Sequence, residues 1–188
     1  MFAPTYLPWF AVYVKPRHEK SVALILKGKG LDSFLPTYTR RHCDSKKFEL
    51  PLFPGYVFCR LDVSKTLPVM TTPGVFSIVG NGHAPQVIPD TEIEQIRRML
   101  GSGPMPHPWP YISAGQQVLL ESGPLRGLEG VVVDASDERW LVVSVHLLRR
   151  SVAVKMERAS LPLGSISSRR SEGAGHFGAP SSAQLLAS

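Results

Sequence analysis

The sequence predicts an α+β sandwich of the split βαβ kind over residues 9–100, joined to a small all-β barrel over residues 113–163. Three observations carry that prediction. Strand and helix signals alternate through the first hundred residues, a Pro/Gly-rich stretch interrupts the chain at 101–112, and the segment after it has strand periodicity but no helical one. Residues 1–8 read as a short extension. Residues 9–14, Trp-Phe-Ala-Val-Tyr-Val, have the aromatic and β-branched content of a buried strand. Pro16 suits the first turn of a helix in which Val22, Ile25 and Leu26 share a face until Gly28 and Gly30 end it. Residues 33–38 and 55–61 are further strands, with 39–52 between them as a long polar loop or open hairpin. Residues 75–79 and 86–88 flank Gly80-Asn81-Gly82, whose Asn-Gly pair predicts a type I′ hairpin turn. Residues 90–100 are a helix: acidic side chains come early, Arg97 and Arg98 late, Thr91 and Glu94 have capping-box spacing, and Ile93, Ile96 and Leu100 share a face.

Residues 101–111 hold four prolines and two glycines, so they can form neither helix nor central strand. They read as an extended linker reaching roughly 30 Å, which lets the modules move separately. In the second module, residues 118–120, 130–133, 139–147 and 151–156 are strand signals. Leu141, Val143, Val145 and Leu147 alternate with Trp140, Val142, Ser144 and His146, the period of a half-buried strand. Closure into a barrel would hide the exposed edges of such short strands. Residues 164–188 have Ser, Gly, Ala or Pro at 16 of 25 positions and read as a disordered tail.

Of the 188 residues, 43% are hydrophobic and 19% charged, which is ordinary globular composition and excludes wholesale disorder. The formal charge of +6 is concentrated early: residues 15–47 carry nine Lys or Arg against three Asp or Glu. That balance favours polyanions or acidic protein surfaces as partners. No apolar run approaches the roughly 20 residues that span a bilayer, and the opening residues lack the basic n-region of a secretory signal. A cytoplasmic monomer with no membrane partner is expected, with Cys43 and Cys59 as free thiols.

Two segments are more specific: Pro51-Leu52-Phe53-Pro54-Gly55-Tyr56-Val57-Phe58, and the run from Gly115 to Val132 containing Gly123-Pro124-Leu125-Arg126-Gly127. With Trp9-Phe10-Ala11-Val12-Tyr13-Val14-Lys15 they resemble the bacterial NusG family of transcription elongation factors over residues 9 to about 162. The first module resembles the NusG amino-terminal domain and the second the KOW domain, an SH3-like barrel. The spelling Glu49-Leu50-Pro51-Leu52-Phe53-Pro54-Gly55-Tyr56 is similar to the specialised RfaH and UpxY antiterminators. The histidine and threonines by which RfaH touches the polymerase gate loop are matched only loosely, by Thr66-Leu67-Pro68 and Met70-Thr71-Thr72.

The resemblance implies a factor that binds the clamp helices of RNA polymerase through its first domain and suppresses pausing or termination. Through its KOW domain it would recruit either a ribosomal protein or Rho. Tyr13, Phe53, Pro54, Tyr56 and Phe58 are the implied polymerase-binding residues. Alternation along the strand puts Tyr56 and Phe58 on one sheet face and Val57 on the other. If Val57 faces the helices, the aromatics line an outer groove, although strand aromatics equally suit core packing. Lys15, Arg17, Lys20, Arg40 and Arg41 are candidates for upstream or non-template DNA, the alternative being a solvated basic surface. Engaging five single-strand phosphates would give a log-log salt slope of roughly −3.5. Leu125 and Leu128 are candidates for the recruited partner, with Leu125 left exposed by a Gly-Pro turn, or else a packed loop. RfaH refolds this domain into a helical hairpin, but the β-branched density of residues 131–133 and 142–145 argues for a stable barrel.

Catalytic chemistry finds no support in the sequence. There is no G-x-S-x-G and no P-loop, and Gly28-Lys29-Gly30 lacks the rest of a dinucleotide fingerprint. His42, Cys43 and Cys59 lack the paired spacing of a zinc site, so no catalytic residue, metal or cofactor is expected. The rival reading is a KOW-containing RNA-binding or ribosome-associated protein.

Overall fold

Aromatic and β-branched residues place strand β1, Trp9–Val14, inside a sheet rather than at its edge. It runs antiparallel to β5, Tyr56–Arg60, on one side and to β6, Val75–Ile78, on the other; β2, Ser33–Phe34, completes the order β2-β5-β1-β6. The structure is a computed structural model that describes residues 7–41, 47–112, 117–120, 123, 125–135 and 138–156. The tail expected over 164–188 lies outside the described residues, as do residues 1–6 of the amino-terminal extension.

The register Ala11↔Phe58 and Tyr13↔Tyr56 sorts the side chains by face. Phe10, Val12, Val14, Val57 and Cys59 point to one side and pack on helix α1, Glu19–Gly28, through Val22 and Leu26. A short helix α2, Leu67–Met70, closes this layer, and Lys29 Nζ pins it by donating to Pro68 O at 2.7 Å and Thr72 Oγ1 at 2.8 Å. Trp9, Ala11, Tyr13, Tyr56 and Phe58 occupy the opposite face, part of which is covered by helix α3, Asp90–Gly101, with Ile93, Ile96 and Met99 buried. Between β2 and β5 in the chain, β3, Thr37–Arg41, and β4, Lys47–Pro51, form a separate two-stranded sheet. The continuous strand expected over 33–38 is thus split at Leu35-Pro36, where proline removes a ladder donor.

The second module is a five-stranded antiparallel sheet in the order β7-β11-β10-β9-β8. Its strands are β7, His107–Trp109; β8, Gln117–Leu119; β9, Glu129–Ala135; β10, Glu138–Val145; and β11, Arg150–Met156. Strand β7 comes from the stretch expected to be linker. Its Pro108 lies on an edge strand, where a missing N–H is tolerated.

The two modules share one buried cluster. Trp9, Phe58, Ile93, Ile96 and Met99 belong to it together with Leu125, Leu128, Leu141 and Val143 of the second module. Helix α3 rests on β10, Glu92 Oε1 meets His146 Nδ1 at 3.0 Å, and Arg98 Nη1 donates to Gly127 O at 3.4 Å. The Tyr38 ring of β3 meets His107 edge-on at 5.9 Å, and His107 in turn packs against Trp140; burial lowers the His107 pKa below its ordinary value. The two modules are therefore docked on one another in the structure.

Three local expectations are corrected. Helix α1 begins at Glu19 rather than Pro16, because Arg17 adopts φ 66° and breaks helical geometry. Asn81 does not make a type I′ turn; its Oδ1 accepts from His83 N at 3.1 Å and Ala84 N at 3.0 Å, and a Gly80↔Pro85 bridge closes the longer loop. Helix α3 starts at Asp90 after Pro89, with no side-chain cap, so the Thr91/Glu94 capping box does not form.

Ile96 is buried in the shared cluster. Ile96→Ala is predicted to destabilise the fold by about 2–5 kcal/mol, and an unchanged urea midpoint would sink the assignment of α3 to the core.

Candidate functional site

The turn before β5 needs a residue with left-handed backbone, and Gly55 supplies it at φ 82°. A Cβ there would also sit 3.5 Å from the Tyr13 ring. Two elements hold the turn. Val14 N donates to Gly55 O at 2.8 Å, and Gly55 N donates to the buried Glu19 Oε1 at 2.9 Å. The first residue of α1 thus satisfies an amide that would otherwise be buried unpaired. Fixing Gly55 fixes its neighbours, and the Tyr56 ring lies 5.6 Å from that of Tyr13. Phe76 on β6 extends the stack, 5.3 Å from Tyr13. Tyr13 and Phe76 stay open to solvent, 42% and 49% exposed, while Tyr56 is half-buried. Lys15 Nζ sits 6.0 Å from the centre of the Phe76 ring.

Tyr13, Tyr56 and Pro54 form part of a groove of about 750 Å³, walled by Pro16, the 80–85 loop and Arg150 of the second module. The expected aromatic strip is therefore divided. Tyr13, Pro54 and Tyr56 face the groove, whereas Phe53 and Phe58 are buried, packed edge-on at 5.4 Å, with Phe34 6.2 Å from Phe58. Alternation put Phe58 on the correct face; that end of the face is core. Leu125 and Leu128, expected at an exposed loop, are buried in the cluster shared with α3.

The five candidate cations separate into two groups. Lys15 and the strained turn carrying Arg17 adjoin the groove. Lys20 belongs with the hairpin, where its Nζ pairs with Glu49 Oε2 at 3.0 Å across exposed surface. Arg40 lies opposite Phe48, and Arg41 opposite Lys47 in the backbone register; the Arg41 side chain lies outside the described residues. Phe76, Arg150 and Glu19 are the site residues the sequence reading missed. Phe76 lay in a predicted strand, but the register against β1 shifts beside it and Ser77 is exposed with it, so alternation gave no signal; Arg150 reaches the groove only through docking of the modules.

Among the described residues, no three His, Cys, Asp or Glu side chains gather as metal ligands would. Cys59 is buried, and its pKa is pushed up to about 12, mainly by loss of hydration and secondarily by the Asp32 charge. Among the described residues, no helix is long and apolar enough to cross a membrane.

The chain is thus a split βαβ module with an aromatic groove, docked on a five-stranded β module. Residues 7–97 match the family model described as transcription termination factor nusG. The chain is 30% identical over 166 residues to the transcription termination/antitermination protein NusG of Pseudomonas aeruginosa, covering 79% of this chain and 94% of that one. It is 30% identical over 175 residues to the NusG of Thermus thermophilus, covering 80% and 95%. A solved structure describing domain interaction in Thermotoga maritima NusG has the same fold, with a TM-score of 0.51 at 21% identity over 81% of this chain and 94% of that one. The chain belongs to the NusG family of transcription factors.

Glu19→Ala is predicted to destabilise the protein by about 1–3 kcal/mol by orphaning the Gly55 amide, with Glu19→Gln losing less; equal unfolding midpoints for all three chains would remove this role. In a Cys43→Ser background, alkylation of Cys59 at pH 8 should follow the unfolding curve, since a thiol with so high a pKa stays protonated when folded. Rapid labelling of the native protein would contradict its burial.

Proposed function

We propose that this protein is a transcription elongation and antitermination factor that grips the clamp helices of RNA polymerase in the groove lined by Tyr13, Pro54 and Tyr56. The observation that carries the reading is the solvent-open stack of Tyr13 with Tyr56 and Phe76, held in place by the Gly55 turn. Exposed aromatics in a concave site are the usual anchors for a partner helix, burying at roughly 1.5–3 kcal/mol each. Family membership supplies the transcriptional context. By binding the polymerase across its nucleic-acid cleft the factor disfavours paused states, to the extent that it binds the active state more tightly.

The hairpin cations, with Lys20 alongside, serve upstream or non-template DNA. The barrel recruits a further factor, either a ribosomal protein or Rho, through the loop of Leu125 and Leu128. Both leucines are buried in the docked arrangement, so recruitment through them requires the barrel to leave α3.

The double variant Tyr13→Ala/Tyr56→Ala should weaken binding to core RNA polymerase more than tenfold while leaving the thermal unfolding curve two-state. An unchanged binding curve would remove the groove from the polymerase contact. Association that disappears on nuclease treatment would instead favour a KOW-type RNA-binding protein.

A further inference from the structure

We propose that residues 107–112 form a strap belonging to the second module, clamped by Ser144 and Ser151, so that the two modules are joined only by the short segment 103–106. Such a joint acts in the same way whatever partner either module takes.

The clamp is a closed ring of hydrogen bonds. Ser144 and Ser151 face each other in the register of β10 and β11, with their Oγ atoms 2.7 Å apart. Ile112 N donates to Ser151 Oγ at 3.3 Å, and Ser144 Oγ donates to Ile112 O at 3.2 Å. Each hydroxyl has a single proton, so once Ser144 has donated to the carbonyl, the Ser151 proton must go to Ser144 Oγ. The ring therefore begins and ends on the backbone of one residue. Two hydroxyls do for Ile112 what a neighbouring strand would, satisfying both its N–H and its C=O. Ser151 is buried, 2% exposed, so lifting the segment would strip its hydroxyl of a donor that its surroundings do not replace.

The rest of the segment follows the same surface. Strand β7 pairs with β11, Trp109 lies opposite Ser151, and the Trp109 ring sits 5.2 Å from that of Trp140. Ile112 packs on the cluster of Trp109, Val142 and Ala153, while Tyr111 meets the His146 ring edge-on at 6.3 Å. All of these partners lie in the second module. The first module adds the ring contact of Tyr38 with His107, which supplies no hydrogen bond to the backbone. The strap accordingly travels with the second module.

The first module holds its own end of the joint. Ser102 closes α3, its Oγ donating to Met99 O at 2.7 Å. Gly103 then takes φ 96° and, like Met105, is exposed. The chain from Ser102 to His107 reaches roughly 17 Å when extended, against the roughly 30 Å expected of the whole Pro/Gly stretch. Pro104 and Pro106 fix two of its φ angles and stiffen it. Off α3, the second module would stay within that distance of the helix end, at an effective concentration on the order of millimolar. A factor that engages it must come close to α3 to do so.

Native-state hydrogen exchange on the full-length chain tests the strap. The Ile112 amide should exchange about a hundredfold or more slower than that of Met105. Ser144→Ala/Ser151→Ala should speed Ile112 about tenfold or more while the β10 amides stay within about threefold of the parent. Four Gly-Ser residues inserted after Gly103 should leave Ile112 protection within about threefold, and the same insertion after Pro110 should lower it about tenfold or more. If the serine variant unfolds the second module, the insertion pair decides. An Ile112 amide as fast as that of Met105 would overturn the strap. Equal effects of the two insertions would overturn it too, because loss of protection after the Gly103 insertion means that docking on α3, not the serine pair, holds the segment.

Discussion

The hydrogen bond from the Gly55 amide to the buried Glu19 carboxylate is the constraint on which the exposed surface depends. It joins the start of α1 to a turn 36 residues later in the chain, and Val14 closes the other side through the Gly55 carbonyl. A carboxylate that accepts from a backbone N–H stays hydrated in effect though shielded from water, so the burial of Glu19 is tolerable only while the turn is in place. The converse also holds: without Glu19, the turn would bury an unpaired donor. Tyr56 follows the turn directly and Tyr13 sits across the ladder from it, so the ring stack inherits the rigidity of this contact.

The same sheet face does two jobs along its length. At the Trp9 and Phe58 end it is core, covered by α3 and continuous with the buried side chains of the second module's sheet. Trp9 is flanked by the guanidinium groups of Arg60 and Arg97, 4.7 and 5.1 Å from its ring, and Arg60 is itself paired with Asp90 at the start of α3. At the Tyr13 end the face is not covered by α3: Tyr13 is 42% exposed, Tyr56 is half-buried, and the surface opens into the groove. The division is set by where α3 lies, because its Ile93, Ile96 and Met99 reach only part of the face. An aromatic strip read from alternation is thus half interior and half contact surface.

What was legible in the sequence was whatever local pattern decides. Strand β1, helix α3 and the alternating strand β10 have periodicities strong enough to specify their elements. The Phe-Pro-Gly-Tyr turn was legible as a motif, since only glycine takes its backbone angle without strain. What was illegible depended on contacts between elements. Alternation assigns Phe58 to a face but does not say what covers that face. The Gly-Pro spelling around Leu125 suggests an exposed turn, yet its side chain is buried against the neighbouring module. Helix α2 escaped notice because four residues containing Pro68 carry no measurable period. Strand β7 was hidden for a related reason: its proline excludes a central strand but not an edge one.

The docked arrangement buries Leu125 and Leu128 in the cluster they share with α3. A ligand that needs those side chains exposed would have to bind the undocked form, and its apparent affinity would be lowered by an amount bounded by the free energy of docking. The polar part of the interface is slight, an exposed histidine against a glutamate whose second oxygen is buried without a protein partner among the described residues, together with a long Arg98 to carbonyl contact. Docking strength must therefore come chiefly from the apolar side chains of α3 and β10. How readily the second module could leave α3 is then set by how much of that apolar surface a competing ligand replaces with its own.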